Sequence, residues 1–421
     1  MPSPPLQPSP WMLLPFALLL AAIALGPLLF GGWWARHYSK VAQALGAIAV
    51  AYYLFGLHAP QRVLHTAHEY VSFLSLIASL YIVAGGIHLG VKGPSTPAGN
   101  VLFLLIGGLF ANLIGTTGAS MLLIRPWLRM NRHRLAPHHV IFFIFIIANI
   151  GGSLTPIGDP PLFLGYLKGV PFWWMAKNCW PIWGVAVGLL LALFHVLDHR
   201  NHLRAAAQPT AANPAAPARW HCEGLHNLLF LAVILAAVFI EKPFFLREGL
   251  MLAAAGLSHF TTRPSIREAN DFNFHPLCEV AVLFLGLFAT MMPALDWLQL
   301  SAAKLGSLSP AFFYWATGLL SSVLDNTPTY LCFLSIAMGE QGDLPSLMLL
   351  PSFARDLAAI SLGAVFFGAA TYIGNAPNFM VKAIADQHGA KTPSFLGCIV
   401  RYTLPCLLPV LGVIWWIFFR R

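Results

Sequence analysis

Residues 153–161 read SLTPIGDPP. The stretch lies within an apolar run at 139–168 and interrupts it with Pro156, Gly158, Pro160 and Pro161. Proline removes a helical N–H and clashes with the preceding turn, so a regular helix cannot pass through. Unwound backbone at membrane depth is tolerated only where it is buried in protein or lines a wet cavity. Such a break frees carbonyls for cations and presents helix N-termini to anions. Asp159 sits inside it. A carboxylate in a membrane is costly unless it is paired, protonated or bound to an ion, so these residue types point to an ion or proton site. The plainer alternative is a proline kink with Asp159 as a helix cap.

The pattern recurs. Residues 367–377 read FGAATYIGNAP. Setting Gly152 on Gly368 aligns Thr155 with Thr371, Ile157 with Ile373, Gly158 with Gly374, Asp159 with Asn375 and Pro161 with Pro377. A second pair precedes the first in the same order: GLFANLIGTTGASM at 108–121 and GLLSSVLDNTPTYL at 318–331. The offsets are 216 and 210 residues, so two matches at nearly one spacing argue for an internal duplication. In LDNTP, 324–328, Asp325, Asn326 and Thr327 give three successive oxygen-bearing side chains ahead of Pro328. Hard oxygen ligands suit Na⁺ or Li⁺, and Asp325 can exchange a proton. A capped turn is the alternative. The partner GTTGA, 115–119, keeps Thr116 and Thr117, has Asn112 nearby, and carries Gly115 in place of the aspartate.

The rest of the chain supplies the solvent for these motifs. Of 421 residues, 58% are hydrophobic and 9% charged, where soluble domains carry about 25% charged residues. An all-α polytopic membrane protein follows, because lipid accepts apolar surface that water does not. The net charge of +9 reflects Arg and Lys between the apolar runs, which is topology control and not nucleic-acid binding. The six cysteines have no metal-ligand spacing. Phosphate loops, nucleophile elbows and HExxH are absent, so no enzyme is expected.

Basic segments lie at Arg36 and Lys40, 125–134, 198–222, and Arg263 and Arg267. They share one membrane face only if 99–124 and 309–338 are re-entrant hairpins. That leaves about ten spans, five per half, and an odd number makes the repeats inverted. The expected divisions are a disordered tail at 1–10, a first repeat at 11–197, a cytoplasmic Ala/Pro linker at 198–224 and a second repeat at 225–421.

Paired hairpins and paired breaks carrying Thr-x-Ile-Gly-x-x-Pro resemble the ion transporter superfamily. SLTPIGDPP and SVLDNTP look closest to its NhaD-type sodium/proton antiporters. The Pro377–Asn378 pair has the flavour of its citrate-transporter-like relatives, the CitMHS and divalent-anion symporter groups. The resemblance implies an elevator-like or rocking exchange around the hairpin tips, usually in a homodimer.

The expectation is a multi-pass carrier of the bacterial inner membrane with no cofactor beyond the coupling ions Na⁺ and H⁺. The leading reading is Na⁺(Li⁺)/H⁺ antiport. Asp159 and Asp325 would alternate between proton and metal ion, helped by Thr155, Asn326, Thr327, Thr371 and Asn375. The alternative is cation-coupled carriage of citrate or another carboxylate, with Asn112, Thr116, Thr117 and Asn378 as weaker substrate contacts.

Overall fold

The computed structural model describes residues 7–92, 96–206, 219–240, 242–305, 308–339 and 344–420. Among the described residues the architecture is all-α apart from one small pair of strands. Six helices among the described residues are long and apolar enough to cross a membrane: Pro10–Pro27, Pro60–Ala84, Pro97–Asn131, Trp174–Arg204, His275–Ser301 and Phe395–Phe419.

Two long helical runs are folded back on themselves. In α1 (Leu14–Ala51), Pro27 is followed by Phe30 in a non-helical conformation (φ −137°, ψ 41°). The Ser9 amide then donates to the Tyr52 hydroxyl at 3.0 Å, two positions that a straight helix would hold about 65 Å apart. Helix α2 (Pro60–Ala84) leads to strand β1 (His88–Lys92).

The run α3 (Pro97–Asn131) folds at Gly115, whose φ of +77° is open to glycine and strained for other residues. Phe103 meets Trp127 at 5.1 Å between ring centroids. Asn100 Nδ2 donates to Asn131 Oδ1 at 2.8 Å, a span of about 46 Å along a straight helix. This element is therefore the first hairpin, with its tip at Gly115 and both ends on one side. Its return arm runs to Asn131, so Arg125 and Arg129 are helical residues and not part of a basic loop.

Helix α4 (Pro137–Ile146) stops at a single 3₁₀ turn, Ile150–Gly152. The chain is irregular until α5 (Pro160–Leu167). Helix α6 (Trp174–Ala206) follows. It runs through the first nine residues of the expected linker, and strand β2 (Arg219–Glu223) occupies its far end, antiparallel to β1. Positions 207–218 of that linker, and 1–6 of the expected tail, lie outside the described residues.

The second half opens with α7 (Asn227–Ala237) and α8 (Leu246–Thr261). At 11 and 16 residues they are shorter than the roughly 20 residues of a full span. Then come α9 (Pro264–Ala269) and α10 (His275–Ser301). The second hairpin is α11 (Pro310–Ser321) and α12 (Asn326–Met338), with Phe313 and Phe333 edge to face at 6.5 Å. A short turn, α13 (Leu344–Leu347), precedes α14 (Pro351–Gly368). A second irregular stretch joins α14 to α15 (Ala376–Gln387). The chain ends with α16 (Phe395–Phe419), widened around Pro405.

Each hairpin begins with a hydroxyl cap and a proline. Thr96 accepts from Gly99 N ahead of Pro97, and Ser309 accepts from Phe312 N ahead of Pro310. The hairpins open to opposite ends of the molecule. The basic end gathers the foot of the first hairpin with α6, where Arg134 pairs with Asp198, and with the start of α10, where the Tyr81 hydroxyl donates to Asn273 O at 2.9 Å. The other end of α10 carries Asp296, paired with Arg62 at 2.9 Å. The second hairpin starts beyond that point. Both irregular stretches are largely buried and tied to the hairpins by hydrogen bonds, and Phe142, Phe143, Phe163, Phe366 and Tyr330 are among the largest fully buried side chains.

Candidate functional site

The two repeats build the same joint twice. Thr155 Oγ1 donates to Asn112 O of the first hairpin at 2.6 Å and accepts from Gly158 N at 3.2 Å. Thr371 Oγ1 donates to Ser322 O of the second hairpin at 2.6 Å and accepts from Gly374 N at 3.2 Å. Each threonine ties a hairpin to the break beside it. Asn112 adds two bonds that Ser322 does not match: its Nδ2 donates to Gly151 O at 2.7 Å, and its Oδ1 accepts from Leu154 N at 2.8 Å.

Asp159 and Asn375 occupy equivalent places. Both precede the first residue of a half-helix in extended backbone, φ −144° and −154°, and neither side chain caps that helix. Asp159 is 1% exposed. Its Oδ1 accepts from Thr116 Oγ1 at 2.8 Å and from Asn375 Nδ2 at 3.1 Å, and its Oδ2 accepts from Asn326 Nδ2 at 2.5 Å. The three donors come from the tip of the first hairpin, the second break and the tip of the second hairpin. Each stands at or next to the first residue of a helix or helical arm, as Asp159 itself does. Four helix N-termini therefore converge on one carboxylate.

That arrangement has two electrostatic consequences. The partners of Asp159 are all neutral, so its charge is hydrogen-bonded without being neutralised. A buried carboxylate in this state calls for a cation or a proton. The converging N-termini, in contrast, make the surrounding space attractive to anions. The site has the elements to hold a cation at Asp159 and an anion beside it.

Asp325 is placed differently. Its Oδ1 accepts from Thr327 N at 2.9 Å, which caps α12, and its backbone oxygen accepts from Thr329 Oγ1 at 2.9 Å. Among the described residues no hydrogen bond joins Asp325 to Asp159. Thr327 Oγ1 lies 3.4 Å from Asn326 Oδ1 and orients that amide. Asn378 donates to Gly368 O and Thr371 O, both at 2.8 Å, and so holds the second break in shape. Thr117 lines a mainly apolar cleft with Gly115, Thr116 and Gly158.

One member was missed. Asn149 Nδ2 donates to Asn378 Oδ1 at 2.7 Å, and its Oδ1 accepts from Asn375 Nδ2 at 3.1 Å. It links the two breaks directly. The available signal was a lone amide at the end of the apolar stretch IFFIFIIAN, 141–149.

A separate cluster, His138, His139 and Asp198, has metal-ligand chemistry, with its ligand atoms within 4.8 Å of one another. Asp198 already accepts from Arg134 through both oxygens and from Asn100 Nδ2 at 2.8 Å. A guanidinium in contact with the carboxylate works against a cation there.

The profile of one protein family, described as "Putative citrate transport" (CitMHS_2), matches residues 6–419. The chain belongs to this family. Among curated proteins none matches it. Membership in the citrate-transport family supports the citrate-transporter-like side of the resemblance, and it agrees with a multi-pass membrane protein that handles a small substrate.

Proposed function

We propose that this protein is a cation-coupled carrier of citrate or a closely related small carboxylate. The observation that carries the reading is the meeting of four helix N-termini around Asp159. Asp159 takes the coupling cation, Na⁺ or H⁺. The bound cation cancels the carboxylate that would otherwise repel an anionic substrate, and the N-termini then hold the substrate's carboxylates. Substrate binding thereby depends on the coupling ion for an electrostatic reason. Asn326, Asn375 and Thr116 hold the carboxylate in position, and Asn149, Thr155, Thr371 and Asn378 fix the backbone around it. Asp325 serves α12 as a cap.

A second reading, Na⁺(Li⁺)/H⁺ antiport, rests on the same uncompensated Asp159. One experiment separates the two. The protein in liposomes is given radiolabelled citrate under an inward Na⁺ gradient, an inward H⁺ gradient, or neither, and Na⁺-driven proton movement is followed without citrate. Citrate uptake that needs one of the gradients upholds the carrier. Proton movement driven by Na⁺ alone, with no citrate uptake, replaces it with the antiporter.

A further inference from the structure

Arg125 is the residue that the site at Asp159 leaves unexplained. It lies on the return arm of the first hairpin, with a side chain only 5% exposed. Its Nε donates to Asp271 Oδ2 at 3.1 Å, while its Nη1 is buried without a hydrogen-bond partner. The two members of the pair are unlike each other, since the Asp271 side chain is 69% exposed. Asp271 also adopts a left-handed backbone, φ +45°, in the turn between α9 and α10. A buried guanidinium thus depends on a carboxylate carried by a surface turn.

The helix face bearing Arg125 leads to the site. Gly118, Met121, Leu122 and Arg125 are spaced i, i+3, i+4, i+7, which is one stripe of a helix. Gly118 lines the cleft shared with Thr116 and Gly158. Met121 and Leu122 line a second, smaller cavity with Gly85, Asn270 and Phe272. Tyr81 borders both. Phe272 closes the outer one: its ring lies where a Cβ on Gly85 would stand, and Arg267 sits over it at 4.8 Å. From the hairpin tip to the basic end there is a line of small cavities between α2 and the hairpin arm, and Arg125 stands one turn beyond the last of them.

We propose that Arg125 is a docking site for one carboxylate of the transported anion at the basic end, with Asp271 occupying it in the substrate's absence. The arriving carboxylate displaces Asp271 and binds the guanidinium end-on, through the idle Nη1 together with Nη2. Displacement of the 270–273 turn carries Phe272 off the outer cavity. An arginine suits this role, because its planar fork binds a carboxylate through two N–H groups at once. The proposal rests on the carboxylate-carrier reading above and adds a second anion contact far from Asp159.

The test uses the full chain in right-side-out and inside-out vesicles of an expression host, with citrate supplied to one face at a time. Arg125→Gln raises the half-saturation concentration on the basic face by about tenfold and leaves the opposite face unchanged, as loss of one charge-assisted contact requires. Arg125→Lys falls between the two. Asp271→Asn keeps a residue that tolerates left-handed backbone and removes the competing charge, so it lowers half-saturation on the basic face. The proposal is overturned if Asp271→Asn leaves that value unchanged, or if Arg125→Gln alters both faces equally, since a merely structural pair would do this. A wild-type protein that carries no carboxylate removes the functional reading and this one with it. Normal citrate transport with insensitive variants removes only this one.

Discussion

Asn326 Nδ2 donates to Asp159 Oδ2 at 2.5 Å, joining the tip of the second hairpin to the first break across 167 positions of sequence. The bond crosses from one repeat to the other, and so do those of Asn375 to Asp159 and of Asn149 to Asn378. The centre is therefore a product of both repeats, and neither half could assemble it alone. A change in the charge of Asp159 is felt at once by the second hairpin and the second break.

Asp159→Asn should abolish coupled uptake, whereas Asp325→Asn should retain most of it. The first change removes the carboxylate that needs a cation. The second keeps an equally good helix cap, because Asn and Asp cap with similar strength. Asp325→Ala should cost about 1 kcal/mol of stability through the lost cap. Citrate uptake under the coupling gradient, with thermal unfolding in detergent as the fold control, checks all three. If Asp325→Asn stops transport while the protein stays folded, Asp325 is a second ion site and the cap assignment is incomplete.

Asn375→Asp should impair transport by setting two carboxylates about one hydrogen bond apart, where like charges do not share a site without a proton or cation. The double change Asp159→Asn with Asn375→Asp returns a single carboxylate to the same cluster on the equivalent backbone. It should recover part of the ion-dependent uptake lost in Asp159→Asn alone. Recovery is read as the ratio of gradient-driven to gradient-free citrate uptake in the two proteins. No recovery would mean that the repeats share a backbone without sharing an ion site.

Much of this was legible in the sequence because the membrane reduces the choices. With 9% charged residues, an aspartate inside a proline-broken apolar run had few explanations, and the aligned threonines Thr155 and Thr371 make matching bonds. The fold-back at Gly115 was also readable, since the basic segments could share a face only with re-entrant hairpins. What escaped is set by contacts between distant segments. Asn149 has no motif around it, and its importance comes from meeting Asn375 and Asn378. Arg125 read as a loop residue, because charge near a span end looks the same in sequence whether it is solvated or buried. The β1–β2 pair joins two segments more than a hundred residues apart, one of them inside what reads as a linker.

Gly158→Ala should be more damaging than Gly374→Ala. A Cβ on Gly158 would stand 1.8 Å from Gly152 O, an overlap that backbone movement alone can relieve. On Gly374 the closest atom is Gly368 O at 2.6 Å, followed by Ser321 O at 2.8 Å. Overpacking a tight interior costs about 1–3 kcal/mol, so Gly374→Ala should lie in that range and Gly158→Ala above it. Thermal unfolding of the detergent-solubilised variants gives the order. A reversed order would mean that the first break is the more pliable of the two.

Thr155→Val and Thr371→Val test the duplication most directly, because valine keeps the shape and deletes the hydroxyl. Each substitution leaves a hairpin carbonyl and a glycine N–H of the break without that partner. Loss of buried hydrogen-bond partners costs about 1–3 kcal/mol, and each change should fall in that range. Matching geometry at the two joints predicts costs that agree to within about 0.5 kcal/mol, the scatter usual for independent sites. The first joint has a further support in Asn112, which ties its hairpin to Gly151 and Leu154, so a smaller loss for Thr155→Val would measure how much Asn112 takes over. Asn112→Ala combined with Thr155→Val separates these cases. A cost well beyond the sum of the singles shows one cooperative joint, and a simple sum shows two independent ties between the first hairpin and the backbone that carries Asp159.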